Sequence, residues 1–169
     1  MRAGKIPAAA LIALISVIAL GLAGCGFQLR GAATLPFDTI YLPDANRGVA
    51  LELKRNILNG TNAKVLDDAK QAQVALEFLS ETRLKDILTL TGTGRVGEFR
   101  LGYRVAYRVR DQAGRDYVPS TTLLLNRDVT YSDTAILAKQ EEEEILFRDM
   151  QSDAVRQIVR RLSAAQAPR

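Results

Sequence analysis

The sequence predicts an α+β fold, a two-layer sandwich in which two helices pack on one face of a mixed, mostly antiparallel four-stranded sheet. Large apolar residues alternate with Gly, Ala or Arg from residue 101 to residue 109, which is typical of a half-buried strand. Apolar residues also recur every four positions in residues 49–57 and 146–162, which is typical of helices with one buried face. The order of short strand, helix, strand meander and long helix fits the sandwich.

The first strand and the first helix are short. Residues 39–42 are β-branched, aromatic or apolar and Pro43 follows them, so we expect a strand there. Residues 44–59 fit a helix of about three turns that Asp44 or Asn46 caps. Its expected buried residues are Val49, Leu53 and Ile57.

Three strands joined by turns are expected next. In residues 74–90 the apolar residues keep one parity although polar residues interrupt them, so we expect a long strand that is bulged or bent. Residues 101–109 form the clearest strand, and a turn at 111–116 leads to a third strand at 117–131. Such a meander has one buried face. The residues assigned to one face of the first strand are Val74, Leu76, Phe78, Leu84, Leu88 and Leu90.

A long helix is expected at residues 134–165, because neither Gly nor Pro interrupts this segment. Four glutamates at 141–144 lie in its early turns and several arginines in its late turns, which complements the helix dipole. We expect the glutamates to form a solvated face. The stripe that packs on the sheet is Leu146, Met150, Ala154, Val155, Ile158, Val159 and Leu162.

The composition excludes several classes of enzyme and metal site. The chain has 169 residues, no His and one Cys, so it has no Ser-His-Asp triad, His-ligated metal or internal disulfide. Residues 92–97 fit G-x-G-x-x-G, but a strand follows where a dinucleotide site requires a helix. No acid and base stand at a catalytic spacing. We expect no catalytic residue, cofactor or metal ion, although a carboxylate pair from distant segments stays open.

The N-terminus has the pattern of a bacterial lipoprotein. Arg2 and Lys5 precede an apolar stretch at residues 6–22, as in a secretory signal peptide. The following Leu22-Ala23-Gly24-Cys25 resembles a lipobox, after which cleavage leaves Cys25 as the lipidated first residue. Gly26 rather than Asp follows the Cys, and by resemblance to lipoproteins of enteric bacteria this favours sorting to the outer membrane. We therefore expect a domain that is exported and lipid-anchored.

Cleavage after Gly24 removes 24 residues with two positive charges and leaves 145 residues with a net charge of +2. Nucleic acid is therefore not expected as a partner, because the exported domain is only weakly basic. The expected division of the chain is a signal peptide at 1–24, a lipidated tether at 25–36, a single α+β domain at 37–165 and a tail at 166–169.

A row of arginines is the most notable charge pattern. The row consists of Arg100, Arg104 and Arg108, which lie on the other face of the 101–109 strand from its large apolar residues. Successive arginines are four residues, or about 13 Å, apart. Such a row can receive phosphates or carboxylates of a ligand. It can equally be an ordinary exposed sheet face that Glu77, Glu81 or Asp128 on neighbouring strands balances.

Several of these features together resemble one family. They are residues 22–30 (LAGCGFQLR), Gly97-Glu98-Phe99 entering the second long strand, Ala138-Lys139 early in the last helix, and the order of the elements. In these features, from Cys25 to about Leu162, the chain resembles the LptE family of lipopolysaccharide-assembly lipoproteins.

The resemblance implies a non-catalytic role at the outer membrane. Members of this family plug the lumen of the large β-barrel translocon LptD, assist its assembly and bind lipopolysaccharide on its way to the outer leaflet. It also implies that one basic residue near the first long hairpin loop and one at the start of the last helix contact lipopolysaccharide, and Arg95 and Lys139 match these positions. The alternatives are an auxiliary lipoprotein of another envelope transporter and, less favoured, an envelope enzyme.

Overall fold

Five strands and two helices make up the described part of the chain. The computed structural model describes residues 33–131 and 136–167. The elements in chain order are β1 (Thr39–Tyr41), α1 (Gly48–Gly60), β2 (Lys64–Leu66), β3 (Val74–Leu90), β4 (Val96–Asp111), β5 (Asp116–Thr130) and α2 (Ile136–Ala164). The strands form a sheet in the order β2-β1-β3-β4-β5. The predicted α+β class is confirmed, with five strands among the described residues instead of four.

The additional strand, β2, is too short to show a period in the sequence. It pairs in parallel with β1, with Ile40 opposite Val65. β1 also pairs in parallel with β3, whereas β3, β4 and β5 form antiparallel hairpins. Helix α1 is the crossover that parallel pairing of β1 and β2 requires. The sheet is therefore mixed, as the sequence predicted.

Helix α1 begins later than predicted and without a side-chain cap. Its N-cap is Arg47, in an extended conformation and with no capping hydrogen bond from its side chain. Asp44 instead adopts a left-handed conformation (φ +51°) in the preceding turn, where its carbonyl accepts the N–H of Asn46. The prediction that Asp44 or Asn46 caps the helix is therefore wrong. The predicted buried face is confirmed, since Val49, Leu53 and Ile57 are all buried.

A bulge in β3 changes which side chains face the helices. Phe78 pairs with Tyr107 and Ser80 pairs with Ala106, so Leu79 is an extra residue in the ladder. Because side chains alternate between the two faces, one extra residue inverts the parity of everything that follows. Two more irregularities follow, between Ile87 and Leu90. The expected long, bulged strand is therefore confirmed, whereas the expectation that its apolar residues share one face from Val74 to Leu90 is wrong.

The rest of the meander follows the prediction. The odd-numbered residues of β4 from 101 to 109 are completely buried on the helix side of the sheet, and β5 adds Leu123, Leu125 and Val129 to the same core. A tight turn with Gly114 at φ +80° joins the two strands. The buried residues of β4 are Leu101, Tyr103, Val105, Tyr107 and Val109.

Helix α2 covers this face of the sheet. Its 29 residues make a helix about 44 Å long, and Met150, Ala154, Ile158 and Leu162 are completely buried against the sheet and α1. Phe147, which the predicted stripe omitted, is buried as well. The core thus lies between one sheet face and both helices, and no helix or strand of the described residues covers the opposite sheet face, which we call the open face.

The folded domain includes residues that the sequence assigned to the tether. The side chain of Leu35 is 3% exposed, and its N–H donates to Asn62 Oδ1 at 2.6 Å. Ala33 forms a bridge with Thr61. The packed structure therefore reaches at least four residues further towards the N-terminus than the expected start at residue 37. Cys25 and the predicted signal peptide lie outside the described residues.

Leu76→Ala and Leu90→Ala test the side-chain directions in β3. Both residues have the same parity in the sequence, but Leu76 is completely buried and Leu90 is 61% exposed. Leu76→Ala is expected to lower the free energy of unfolding by about 2–5 kcal/mol because it leaves a cavity. Leu90→Ala, the matched control, is expected to change it by less than about 0.5 kcal/mol. Denaturant unfolding followed by circular dichroism measures both, and equal losses would contradict the change of face.

Candidate functional site

The predicted arginine row lies on the open face of the sheet. Arg100, Arg104 and Arg108 are all on β4, and their side chains alternate with the buried residues of that strand. Both helices pack on the opposite face, so solvent reaches these side chains. The sequence therefore placed the row on the correct face.

Neighbouring strands neutralise the two outer members of the row. Arg100 donates from Nε to Asp128 Oδ1 at 2.8 Å and from Nη2 to Asp128 Oδ2 at 3.1 Å, which is a bidentate pair. Arg108 Nε donates to Glu77 Oε2 at 2.8 Å. The alternative of a balanced sheet face is thus confirmed for these two arginines.

The contact between Arg100 and Asp128 shifts the pKa of both side chains. The hydrogen bond from Arg100 is the main reason why the pKa of Asp128 lies below its ordinary value; burial opposes this shift, and the positive charge of Arg100 adds to it. The same hydrogen bond and the charge of Asp128 raise the pKa of Arg100. Both side chains are exposed, so water screens the interaction.

Arg104, at the centre of the row, differs from its neighbours. It stands opposite Thr82 on β3 and Leu124 on β5, neither of which carries a charge. Among residues 33–131 and 136–167 no carboxylate pairs with it. Of the three arginines, Arg104 is therefore the one whose charge is available to an external anion.

A second basic group lies on the helix side of the sheet, where the bulge at Leu79 directs it. Arg83 Nη1 donates to both carboxylate oxygens of Glu144 at 3.0 Å, and its guanidinium lies 4.8 Å from the centre of the Phe147 ring. Lys85 pairs with Glu143, and its ammonium lies 4.2 Å from the centre of the Phe99 ring. These contacts connect β3 to the first half of α2.

Lys139 joins the start of α2 to the end of β5. Its Nζ donates to Glu142 Oε2 at 2.7 Å and to Thr130 Oγ1 at 3.3 Å. Three consecutive glutamates, 142–144, thus pair with Lys139, Lys85 and Arg83 in turn. Glu142 and Glu144 are paired but exposed, as expected of a solvated face. The expectation is wrong for Glu143, which is half-buried because the inverted parity of β3 brings Lys85 within its reach.

Arg95 lies at the same end of the sheet as Lys139. It closes the turn between β3 and β4, where Thr91 N–H donates to the Arg95 carbonyl and Arg95 N–H donates to Thr91 Oγ1. Glu98 lies three residues after Arg95, about 10 Å along β4. It stands opposite Thr130, the residue to which Lys139 donates a hydrogen bond. The structure therefore brings Arg95 and Lys139 to one end, which we call the hairpin end, while the arginine row runs away from it.

The sequence reasoning missed Arg83 and Lys85 as partners of the acidic helix. Regular alternation in β3 would place both side chains on the open face of the sheet, beside the arginine row. The signal that was available was the interruption of the apolar pattern by polar residues after Phe78, which is where the extra residue lies.

Comparison with known proteins places this fold in a family. The family model described as "LptE: Lipopolysaccharide-assembly" matches residues 37–162, from just before β1 to the last turn of α2. The chain belongs to the LptE lipopolysaccharide-assembly family. Proteins of this family are lipopolysaccharide-assembly lipoproteins and not enzymes, which confirms the expected family and the expected non-enzymatic role.

Relatives in the family match over most of their length. The "LPS-assembly lipoprotein LptE" of Pectobacterium atrosepticum is 29% identical over 146 residues, which cover 83% of this chain and 77% of the relative. The protein of the same name from Photorhabdus laumondii is 28% identical over 157 residues, which cover 90% and 84%. Both matches thus cover more than four fifths of this chain.

Solved structures share the fold. The solution structure of lipoprotein B from Nitrosomonas europaea is 40% identical and superimposes with a TM-score of 0.71, covering 82% of this chain and 91% of that one. The crystal structure of rare lipoprotein B from Shewanella oneidensis, 23% identical, gives a TM-score of 0.62 over 75% and 92%. The second similarity is one of fold alone.

Two further observations concern the described residues alone. Neither α1 nor α2 combines the length and the apolar character that a helix needs to cross a membrane. Within the same part of the chain, no three acidic or other metal-binding side chains come together as a metal site.

Arg100→Gln is expected to raise the pKa of Asp128 towards its ordinary value, because it removes the guanidinium that lowers it. A lowered folded-state pKa stabilises the fold at neutral pH, and this stabilisation is lost as the pH falls through the folded value. NMR titration of the Asp128 carboxyl measures the change. Arg104→Gln is the matched control and should leave the titration unchanged; equal shifts in both variants would contradict the pairing.

Proposed function

We propose that this chain is a lipid-anchored outer-membrane lipoprotein that plugs an LptD-type β-barrel translocon, assists its assembly and binds lipopolysaccharide during delivery to the outer leaflet. The family match over residues 37–162 carries the proposal. The curated relatives are named for lipopolysaccharide assembly, and the lipobox pattern at Cys25 supplies the expected anchor.

The hairpin end has the chemistry that a phosphorylated lipid requires. Lipopolysaccharide presents phosphates beside acyl chains, so a protein surface that binds it needs cations next to apolar side chains. Arg95 and Lys139 supply the cations. The exposed apolar side chains at this end, each about half exposed or more, are Ile87, Leu90, Ile136 and Leu137.

Carboxylates of the protein already occupy part of this site. Lys139 is 2.7 Å from Glu142, and the two residues are neighbours on one helix. A phosphate carries more charge than a carboxylate and accepts more hydrogen bonds, so it can replace Glu142 as the partner of Lys139. Binding is then an exchange of anions at a cation that the fold holds in place.

The open sheet face suits the lumen of a large barrel. Such lumens are polar and contain water, and this face carries ion pairs that include Arg100 with Asp128 and Arg108 with Glu77. A polar face of this kind does not need to be buried in an apolar environment. It supports the placement of the domain inside a barrel.

Affinity purification of the tagged chain, with Cys25 intact, from detergent-solubilised envelopes tests the barrel partner. A large β-barrel protein is expected at comparable yield, and mass spectrometry identifies it. Recovery of an inner-membrane transporter instead would favour the alternative of an auxiliary lipoprotein. Recovery of the chain alone would contradict the plug.

Charge reversal at the hairpin end tests lipopolysaccharide binding. The double variant Arg95→Glu with Lys139→Glu is expected to weaken binding about tenfold or more, since a tenfold loss corresponds to only about 1.4 kcal/mol. Glu142→Gln is expected to strengthen binding because it releases Lys139. Titration of the lipid-free domain with purified lipopolysaccharide measures all of these affinities.

A control variant with the same change of net charge distinguishes a specific binding site from nonspecific electrostatic attraction of lipopolysaccharide. Arg55 and Lys64 are exposed, on α1 and β2, away from the hairpin end. Arg55→Glu with Lys64→Glu changes the net charge equally and should leave the affinity within about threefold, well inside the tenfold that 1.4 kcal/mol represents. Equal losses in both double variants, with unchanged thermal unfolding, would show that Arg95 and Lys139 form no specific site.

A further inference from the structure

Strand β5 is an open edge of the sheet. It is the last strand in the order β2-β1-β3-β4-β5 and contains 15 residues, whereas the opposite edge strand, β2, contains three. No strand of the described residues pairs with its outer side. A long edge of this kind presents backbone groups that another strand can use.

The direction of the backbone groups of β5 follows from its pairing with β4. Tyr131 N–H donates to the Gly97 carbonyl, and from there the register continues without a shift to Tyr107 opposite Thr121. In an antiparallel ladder, alternate residues direct both backbone groups to the neighbour and the others direct both away. The residues of β5 whose N–H and C=O groups point away from β4 are therefore Thr122, Leu124, Asn126, Asp128 and Thr130.

One contact agrees with this assignment. The Arg127 guanidinium donates to the Asn126 carbonyl at 2.9 Å, as expected for a carbonyl that points away from β4. By the same register, the N–H groups of Thr122 and Leu124 make no bond to β4. The open segment from Thr122 to Thr130 is about 30 Å long, enough for a strand of ordinary length.

We propose that β5 receives an extended segment of the barrel partner as a sixth strand of the sheet, an inference that rests on the proposed function. A closed barrel has no free strand edge, so the segment must come from a loop or a terminal extension that enters the lumen. The added strand pairs with the outward backbone groups between Thr122 and Thr130, and main-chain hydrogen bonds supply most of the contact.

The side chains beside this edge define what fits there. Leu124 is 53% exposed on the open face, and Arg104 lies directly behind it on β4 without a carboxylate partner in the described part of the chain. A segment with an aliphatic side chain next to Leu124 and an acidic side chain within reach of Arg104 is complementary. A second copy of this chain would instead place another Leu124 and further hydroxyl and amide side chains along the edge.

Residue-resolved hydrogen exchange tests the proposal. It is measured on the free chain and on the complex of the chain with the barrel protein that affinity purification recovers. In the free chain the amides of Leu123 and Leu125 should be protected and those of Thr122 and Leu124 should exchange freely. In the complex, Thr122 and Leu124 should exchange at least tenfold more slowly. If the barrel is recovered and these two amides still exchange freely, the sixth strand is excluded while the proposed function stands.

Leu124→Pro tests the same edge by removing one outward N–H, which an edge strand tolerates because that group makes no bond to β4. It should lower the amount of barrel captured at least tenfold, whereas Leu124→Ala, which keeps the N–H and loses only the side-chain contact, should lower it much less. Continued protection of Leu123 and Leu125 shows that the variant is folded; if it is not, the exchange measurement on the natural chain decides.

Two other outcomes would overturn the proposal. Protection of Thr122 and Leu124 in the free chain that increases with concentration would identify a second copy as the occupant. Failure to recover any barrel would remove the proposed function and the sixth strand together.

Discussion

The extra residue Leu79 in β3 determines how charge is distributed over the domain. Without it, regular alternation would place Arg83 and Lys85 on the open face of the sheet, beside the arginines of β4. With it, both cations face α2, where Glu144 and Glu143 meet them. The bulge therefore separates two groups of positive charge, one on each side of the sheet, and connects the acidic half of α2 to β3.

The ion pairs on this domain position charge more than they stabilise the fold. Exposed ion pairs contribute about 0–1 kcal/mol each to the stability of a fold. The apolar stripe of α2, with Met150 and Ile158 completely buried, packs instead on the apolar face of the sheet. What the pairs change is the availability of cations. Arg100 and Arg108 each have a carboxylate partner on a neighbouring strand, and the partner of Lys139 is Glu142 on the same helix. Arg104 faces no acidic residue in the described part of the chain.

Much of the fold could be predicted from the sequence because most elements are long and regular. The alternation in β4 and the four-residue spacing in both helices identified the residues that form the core. β2 was missed because three residues show no period, and the face of Leu84 was wrong because a bulge leaves no unambiguous mark in the sequence. The arginine row was placed on the correct face, but its pairing with Asp128 and Glu77 depends on strand register, which the sequence left open.

The two-layer architecture explains how one small domain without catalytic groups can serve several contacts. Helices cover one sheet face, so the other face, the β5 edge and the hairpin end stay accessible, and each has a different chemistry. The open face carries paired ions, the edge carries backbone groups with which no strand of the described residues pairs, and the hairpin end carries cations next to exposed leucine and isoleucine side chains. Under the proposed function the open face contacts the polar lumen, the β5 edge binds a peptide segment and the hairpin end binds a phosphorylated lipid. These contacts can form together because each uses different groups of the domain.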